Sequence, residues 1–124
     1  MRLNQVTLAV SDLKRSVNYY RRLGLRQIVA AEGYARFACP DGDSTLSLEW
    51  AETVPSSATT VYFECEDLDA AIADLKASGL PLDQGPVDEP WLWREARLRD
   101  PDGNRLCLFH AGENRLNPPW RLPG

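Results

Sequence analysis

The sequence predicts an α+β fold in which a β-α-β-β-β module is used twice. Residues 4–25 switch from a two-residue to a three-to-four-residue apolar period. The same switch returns 55 positions later, and an Asp-Gly turn precedes the last strand of each copy. These three observations imply an internal duplication whose functional site lies where the copies meet.

In the first copy, Val6, Leu8 and Val10 alternate with Gln5, Thr7 and Ala9, as in a half-buried strand. Ser11 and Asp12 offer capping oxygens, and Leu13, Val17, Tyr20 and Leu23 then lay an apolar stripe along a helix. Gly24 stops that helix, because glycine enters the left-handed C-cap conformation at little cost. Strands follow at Arg26–Ala31, at Tyr34–Cys39 and, after the turn Pro40-Asp41-Gly42-Asp43, at Thr45–Trp50.

The polar, proline-containing segment 54–58 reads as a linker. In the second copy Val61, Phe63 and Cys65 repeat Val6, Leu8 and Val10. Asp67-Leu68 repeats Asp12-Leu13, and Gly79-Leu80 repeats Gly24-Leu25. A strand at Thr60–Glu66 and a helix at Asp67–Ser78 follow, then a Pro- and Gly-broken stretch to Pro90. Strand Arg94–Arg99, turn Asp100–Asn104 and strand Arg105–His110 complete the copy. The expected organisation is one domain, 1–124, built from modules 1–53 and 58–110. The tail 111–124 carries Pro118-Pro119 and Trp120, and packs on its own domain, on the edge of the site or on a partner subunit.

A chain of 124 residues with 44% hydrophobic and 26% charged residues matches an ordinary globular domain. The net charge of −4, with basic residues interleaved among acids, argues against nucleic-acid binding. No segment has the apolar length of a membrane span, and the N-terminus lacks a signal-peptide layout. Cys39, Cys65 and Cys107 form no C-x-x-C pair and are odd in number, so reduced thiols in a cytoplasm are expected.

Alternation places Gln5, Thr7, Ser47, Glu49, Thr60, Tyr62, Glu64, Arg105, Cys107 and Phe109 on the sheet face turned away from the helices. That set lacks aliphatic residues, which suits the lining of a ligand cleft better than a packing face.

NQVTLAVSDL with its helix and LGL, TVYFECEDLDAAIADLKASGL, and RDPDGNRLCLF together resemble the vicinal oxygen chelate superfamily. It includes glyoxalase I, bleomycin-resistance proteins, fosfomycin resistance enzymes and extradiol dioxygenases. The resemblance spans Asn4 to Phe109. It implies a glyoxalase-like fold: two βαβββ modules forming a cupped mixed sheet with helices on its outer face.

Many members hold a divalent metal through the first and last strands of each module, positions that fall here on Gln5, Glu49, Thr60 and Cys107. Gln5 and Glu49 fit the family pattern. Thr60 is a poor ligand, and Cys107 replaces a carboxylate. The two-histidine iron triad of the dioxygenases is absent, so ring cleavage is not expected.

Each site residue has a structural alternative. Gln5 serves as a strand hydrogen-bonder or a ligand. Glu49 pairs with Arg105 or Arg97, binds metal, or acts as a catalytic base. Cys107 is an inert strand thiol or a zinc ligand. Tyr62, Glu64, Trp91, Trp93, Arg105 and Phe109 are expected to line a ligand site. His110, the sole histidine, falls on the opposite strand face from Cys107 and is expected at the surface or behind a site residue.

Two functions follow from the resemblance. One is a protein that binds a small molecule in the cup without the complete family metal site and without a cofactor. The other is a glyoxalase-like lyase or isomerase using zinc or nickel on Gln5, Glu49 and Cys107. Family members commonly pair, so a homodimer is implied, with no nucleic-acid or membrane partner.

Overall fold

The computed structural model describes all residues, 1–124. Eight strands and three helices run in the order β1 (Gln5–Val10), α1 (Leu13–Leu23), β2 (Arg26–Ala31), β3 (Tyr34–Ala38), β4 (Thr45–Trp50), β5 (Thr60–Glu64), α2 (Leu68–Ala77), β6 (Gln84–Asp88), β7 (Arg94–Arg99), β8 (Arg105–His110) and α3 (Glu113–Leu116). The strands form two mixed four-stranded sheets, β1-β4-β3-β2 and β5-β8-β7-β6. The sequence-predicted α+β class with two βαβββ modules is what the structure has.

The duplication extends to the hydrogen bonds that begin and end each helix. Asp12 accepts from the Arg15 amide at 3.1 Å, and 55 residues later Asp67 accepts from the Ala70 amide at 3.1 Å. At the C-termini, Gly24 N donates to Arg21 O and Leu25 N to Tyr20 O. Gly79 N to Lys76 O and Leu80 N to Leu75 O repeat those bonds at the same offset. Gly24 and Gly79 have φ of +110° and +77°, where a Cβ would be strained.

Packing divides the chain into two units, Met1–Thr59 with Asp100–Asn104, and Thr60–Arg99 with Arg105–Gly124. The β7–β8 turn thus belongs to the first unit, although it lies within the second module of the sequence. In the first unit, Leu8, Val10, Phe37, Leu46 and Leu48 form the core beside Tyr20, whose ring meets that of Phe37. Helix α1 also buries Ser16 and Tyr19, which lie off its forecast stripe. In the second unit Leu68, Ile72 and Leu75 of α2 are buried, as are Ala96, Leu98, Leu106 and Leu108 of the sheet.

Two elements depart from the sequence-based expectation. The broken stretch before Pro90 contains strand β6, with Gly85 and Pro86 inside it. As the outermost strand of its sheet, β6 tolerates a missing amide, and its register shifts between Gln84 and Val87. The tail begins with the short helix α3, and Trp120 remains 57% exposed. No helix is long and apolar enough to cross a membrane.

Candidate functional site

In the second sheet, Tyr62 lies opposite Cys107, and Cys107 opposite Arg97. One pair further along, Glu64 lies opposite Phe109, and Phe109 opposite Glu95. These residues share the face turned from α2, because side chains two apart in a strand point the same way. The expected polar lining is only partly correct. Cys107, Phe109 and Glu95 are buried, and Trp93 packs against the first two.

The centre of this face is Glu95, only 2% exposed. Its Oε1 accepts from Arg97 Nη2 at 2.6 Å and from the Cys107 thiol at 3.6 Å, and its Oε2 accepts from Trp91 Nε1 at 2.6 Å. A buried carboxylate requires this degree of pairing. Sequence reasoning passed over Glu95. The available signal was the β7–β8 turn, which sets Glu95 opposite Phe109 and Arg97 opposite Cys107.

Around Glu95 the aromatic rings form a connected group. Trp93 stacks on Phe109 with centroids 4.5 Å apart, and Tyr62 meets both edge-on, at 6.1 Å and 5.7 Å. The Arg97 guanidinium lies 5.6 Å from the Tyr62 ring centroid, within cation–π range. Tyr62 and Trp91 are 47% and 43% exposed, so each presents ring surface to solvent. Between the two tryptophans, Leu92 holds φ at +67°. That left-handed conformation costs a side-chain-bearing residue about 1 kcal/mol, which the surrounding turn must offset.

Glu64 and His110 have local partners. Glu64 Oε2 accepts from the Ala111 and Gly112 amides at 2.8 and 2.9 Å, and Arg115 stands 3.5 Å from Oε1. Partial burial would raise the Glu64 pKa, but those amides and the nearby Arg115 and His110 hold it below the ordinary value. His110 Nδ1 is 2.8 Å from the Cys65 carbonyl, so that nitrogen carries the proton. Arg105 is exposed at the start of β8, and Thr60 is half-buried beside it in register.

The first sheet has a comparable face. Gln5 Oε1 accepts from Thr45 Oγ1 at 2.9 Å. The Tyr34 and Ser47 hydroxyls are 2.7 Å apart, and Arg36 Nε donates to the Tyr34 oxygen at 2.9 Å. Glu49 is exposed opposite Tyr34 and makes no ion pair; Arg97, one of its expected partners, is held by Glu95.

The expectation that Gln5 and Glu49 jointly ligate a metal is corrected by register. Gln5 pairs with Thr45, while Glu49 pairs with Ala9, four residues further along the ladder. At about 3.3 Å per residue this separates them by ~13 Å along the strands. The first-sheet counterpart of Cys107 is Ser47, which lies between Thr7 and Arg36 as Cys107 lies between Tyr62 and Arg97. Glu49 instead corresponds to Phe109.

Cys107 is fully buried, and its thiol donates to Glu95 Oε1 at 3.6 Å. Burial, and to a lesser degree the Glu95 carboxylate, push its thiol up to about 12 against the opposing pull of Arg97. No three His, Cys, Asp or Glu side chains gather where they could hold a metal ion. The donor set does not fit the family metal.

Three comparisons bear on this architecture. The family model described as Glyoxalase/Bleomycin resistance protein/Dioxygenase superfamily matches residues 2–108. An uncharacterised protein of Bacillus subtilis (strain 168), YraH, is 31% identical over 126 residues, covering 88% of this chain and 98% of its own. Among solved structures, a glyoxalase/bleomycin resistance protein/dioxygenase from Nocardioides superposes with a TM-score of 0.78 at 25% identity, covering 99% of this chain and 90% of that one. A lactoylglutathione lyase from Agrobacterium tumefaciens shares the fold, with a TM-score of 0.72 at 20% identity over 88% of this chain and 92% of its own.

Proposed function

We propose, from the premise that this chain belongs to the Glyoxalase/Bleomycin resistance protein/Dioxygenase superfamily, that it binds a small molecule with a flat, unsaturated portion and does so without a metal. The observation that carries this reading is the aromatic group of the second sheet. Tyr62 exposes ring surface beside the Trp93–Phe109 stack, and the partly exposed Trp91 donates to Glu95 of the fixed Arg97–Glu95 pair. Rings locked by packing lose little conformational freedom on binding, and Arg97 supplies hydrogen-bond donors that orient a polar substituent.

The lyase or isomerase alternative asks Gln5, Glu49 and Cys107 for metal donors. The first is already hydrogen-bonded to Thr45, the second lies at the far end of the ladder, and the third is a buried thiol that donates to Glu95. Their chemistry supports the metal-free reading. A homodimer in a reducing cytoplasm belongs to the same proposal, and the three unbridged cysteines support such a compartment.

The test is a titration of untagged protein with a panel of aromatic acids and flat heterocycles, followed by tryptophan emission and thermal shift. A saturable response, unchanged by EDTA and lost in Tyr62→Ala and Trp91→Ala, is expected. A response abolished by EDTA, or one that survives both substitutions, sinks the proposal.

A further inference from the structure

Arg36 stands out among the arginines on the faces turned from the helices. Arg97 and Arg99 each hold a carboxylate, at 2.6 and 2.8 Å. Arg105 is exposed at a strand end. Arg36 is half-buried, its only protein acceptor is the Tyr34 hydroxyl, and it makes no ion pair. A partly desolvated guanidinium without a counter-ion is unfavourable by itself, and its two terminal nitrogens retain four N–H donors in a planar fork.

Tyr34 adds a further donor. Its oxygen accepts from Arg36 Nε and shares a bond with Ser47 Oγ, which is fully buried. A phenolic oxygen has two acceptor sites and one proton. When Ser47 donates to it, both acceptor sites are filled and the phenolic proton is free to point outward beside the guanidinium. The Ser47 bond, followed by Arg36, holds the Tyr34 phenol below its ordinary pKa although burial opposes them. The guanidinium also sits 5.5 Å from the Tyr34 ring centroid, which limits its movement.

We propose that Arg36 and the Tyr34 hydroxyl form an oxyanion-binding site on the first sheet, taking the carboxylate or phosphate group of a small molecule. An arginine fork matches two oxygens of either group, and such charge-assisted pairs are about twice as strong as neutral ones. Glu49, opposite Tyr34, is the acidic residue of this face and tunes the site by repulsion. The residues of the site all belong to the first unit.

The experiment is a nitrogen–proton NMR titration of the full chain with benzoate, and separately with phenylphosphonate and inorganic phosphate. It follows the Arg36 Nε–H signal and the backbone amides of β3 and Ser47. Saturation by benzoate identifies a carboxylate site; saturation by a phosphorus oxyanion identifies a tetrahedral one. Arg36→Gln is expected to weaken the amide response about tenfold or more, and Tyr34→Phe about fivefold. Glu49→Gln should strengthen it about twofold. No saturation with any of the three probes, or equal affinity in Arg36→Gln, overturns the proposal.

Discussion

The Tyr20 hydroxyl donates to Asp100 Oδ2 at 2.7 Å, joining residues 80 positions apart. Both are buried, and burial, then the Asp100 charge, push the Tyr20 phenol far up, so it acts as a neutral donor. Asp100 also accepts from the Asp102 and Asn104 amides and from Asn104 Nδ2, each at 2.9 Å. One carboxylate therefore folds the turn on itself and fastens it to helix α1. Tyr20→Phe should lower stability by about 1.5–3 kcal/mol, the usual range for a hydrogen bond to a charged group. Urea unfolding checks this.

Arg97 and Glu95 should be coupled. Removing Arg97 leaves the Glu95 carboxylate with only the Trp91 and Cys107 donors. Because Arg97 is about one-third exposed, Arg97→Met is expected to cost about 2–3 kcal/mol, below the range for a fully buried pair. The double variant Arg97→Met with Glu95→Gln should recover at least about 1 kcal/mol. Equal and additive losses in a double-mutant cycle would show that the pair is not coupled.

Cys107 should be the slowest of the three thiols to react. With its thiol pushed up to about 12, roughly one molecule in ten thousand carries the thiolate at pH 8. Cys39 and Cys65 are only partly buried. Alkylation followed by peptide mass mapping should label Cys107 last, and promptly once the protein unfolds. Because the folded pKa is raised, the contribution of this thiol to stability is complete below its unfolded value near 8.5. It declines as pH rises toward 12, and Cys107→Ala removes that decline.

Glu64 should produce the opposite dependence. Its folded pKa is lowered, so its contribution is present above the unfolded value near 4.3 and disappears as pH falls through the folded one. Denaturation midpoints between pH 6 and about pH 3 should fall less steeply in Glu64→Gln than in the parent. The effect is small because the side chain is one-third exposed. Identical slopes would mean the amides of Ala111 and Gly112 are not held by this carboxylate.

Much of the fold was legible because its signals are local. Asp12 and Asp67 cap their helices, Gly24 and Gly79 end them, and β1, β2, β4, β7 and β8 occupy their expected spans. The misses also have physical causes. Strand β6 contains Gly85 and Pro86, which propensity reads as breakers, yet an outer strand accommodates them. Ser16 and Tyr19 are buried although the helical stripe omitted them, since packing on the sheet widens the covered face.

The amino-acid sequence by itself determined the repeated module, its caps and turns, and which residues alternate along each strand. Each of these depends on neighbours within a few positions. Only the tertiary structure decided which residues stand together on a face. It set Glu49 at the far end of the ladder from Gln5, made Ser47 the counterpart of Cys107, and gathered Trp91, Arg97 and Cys107 around Glu95. Strand register is fixed by pairing between distant segments, and a shift of two residues preserves every alternation while changing every neighbour.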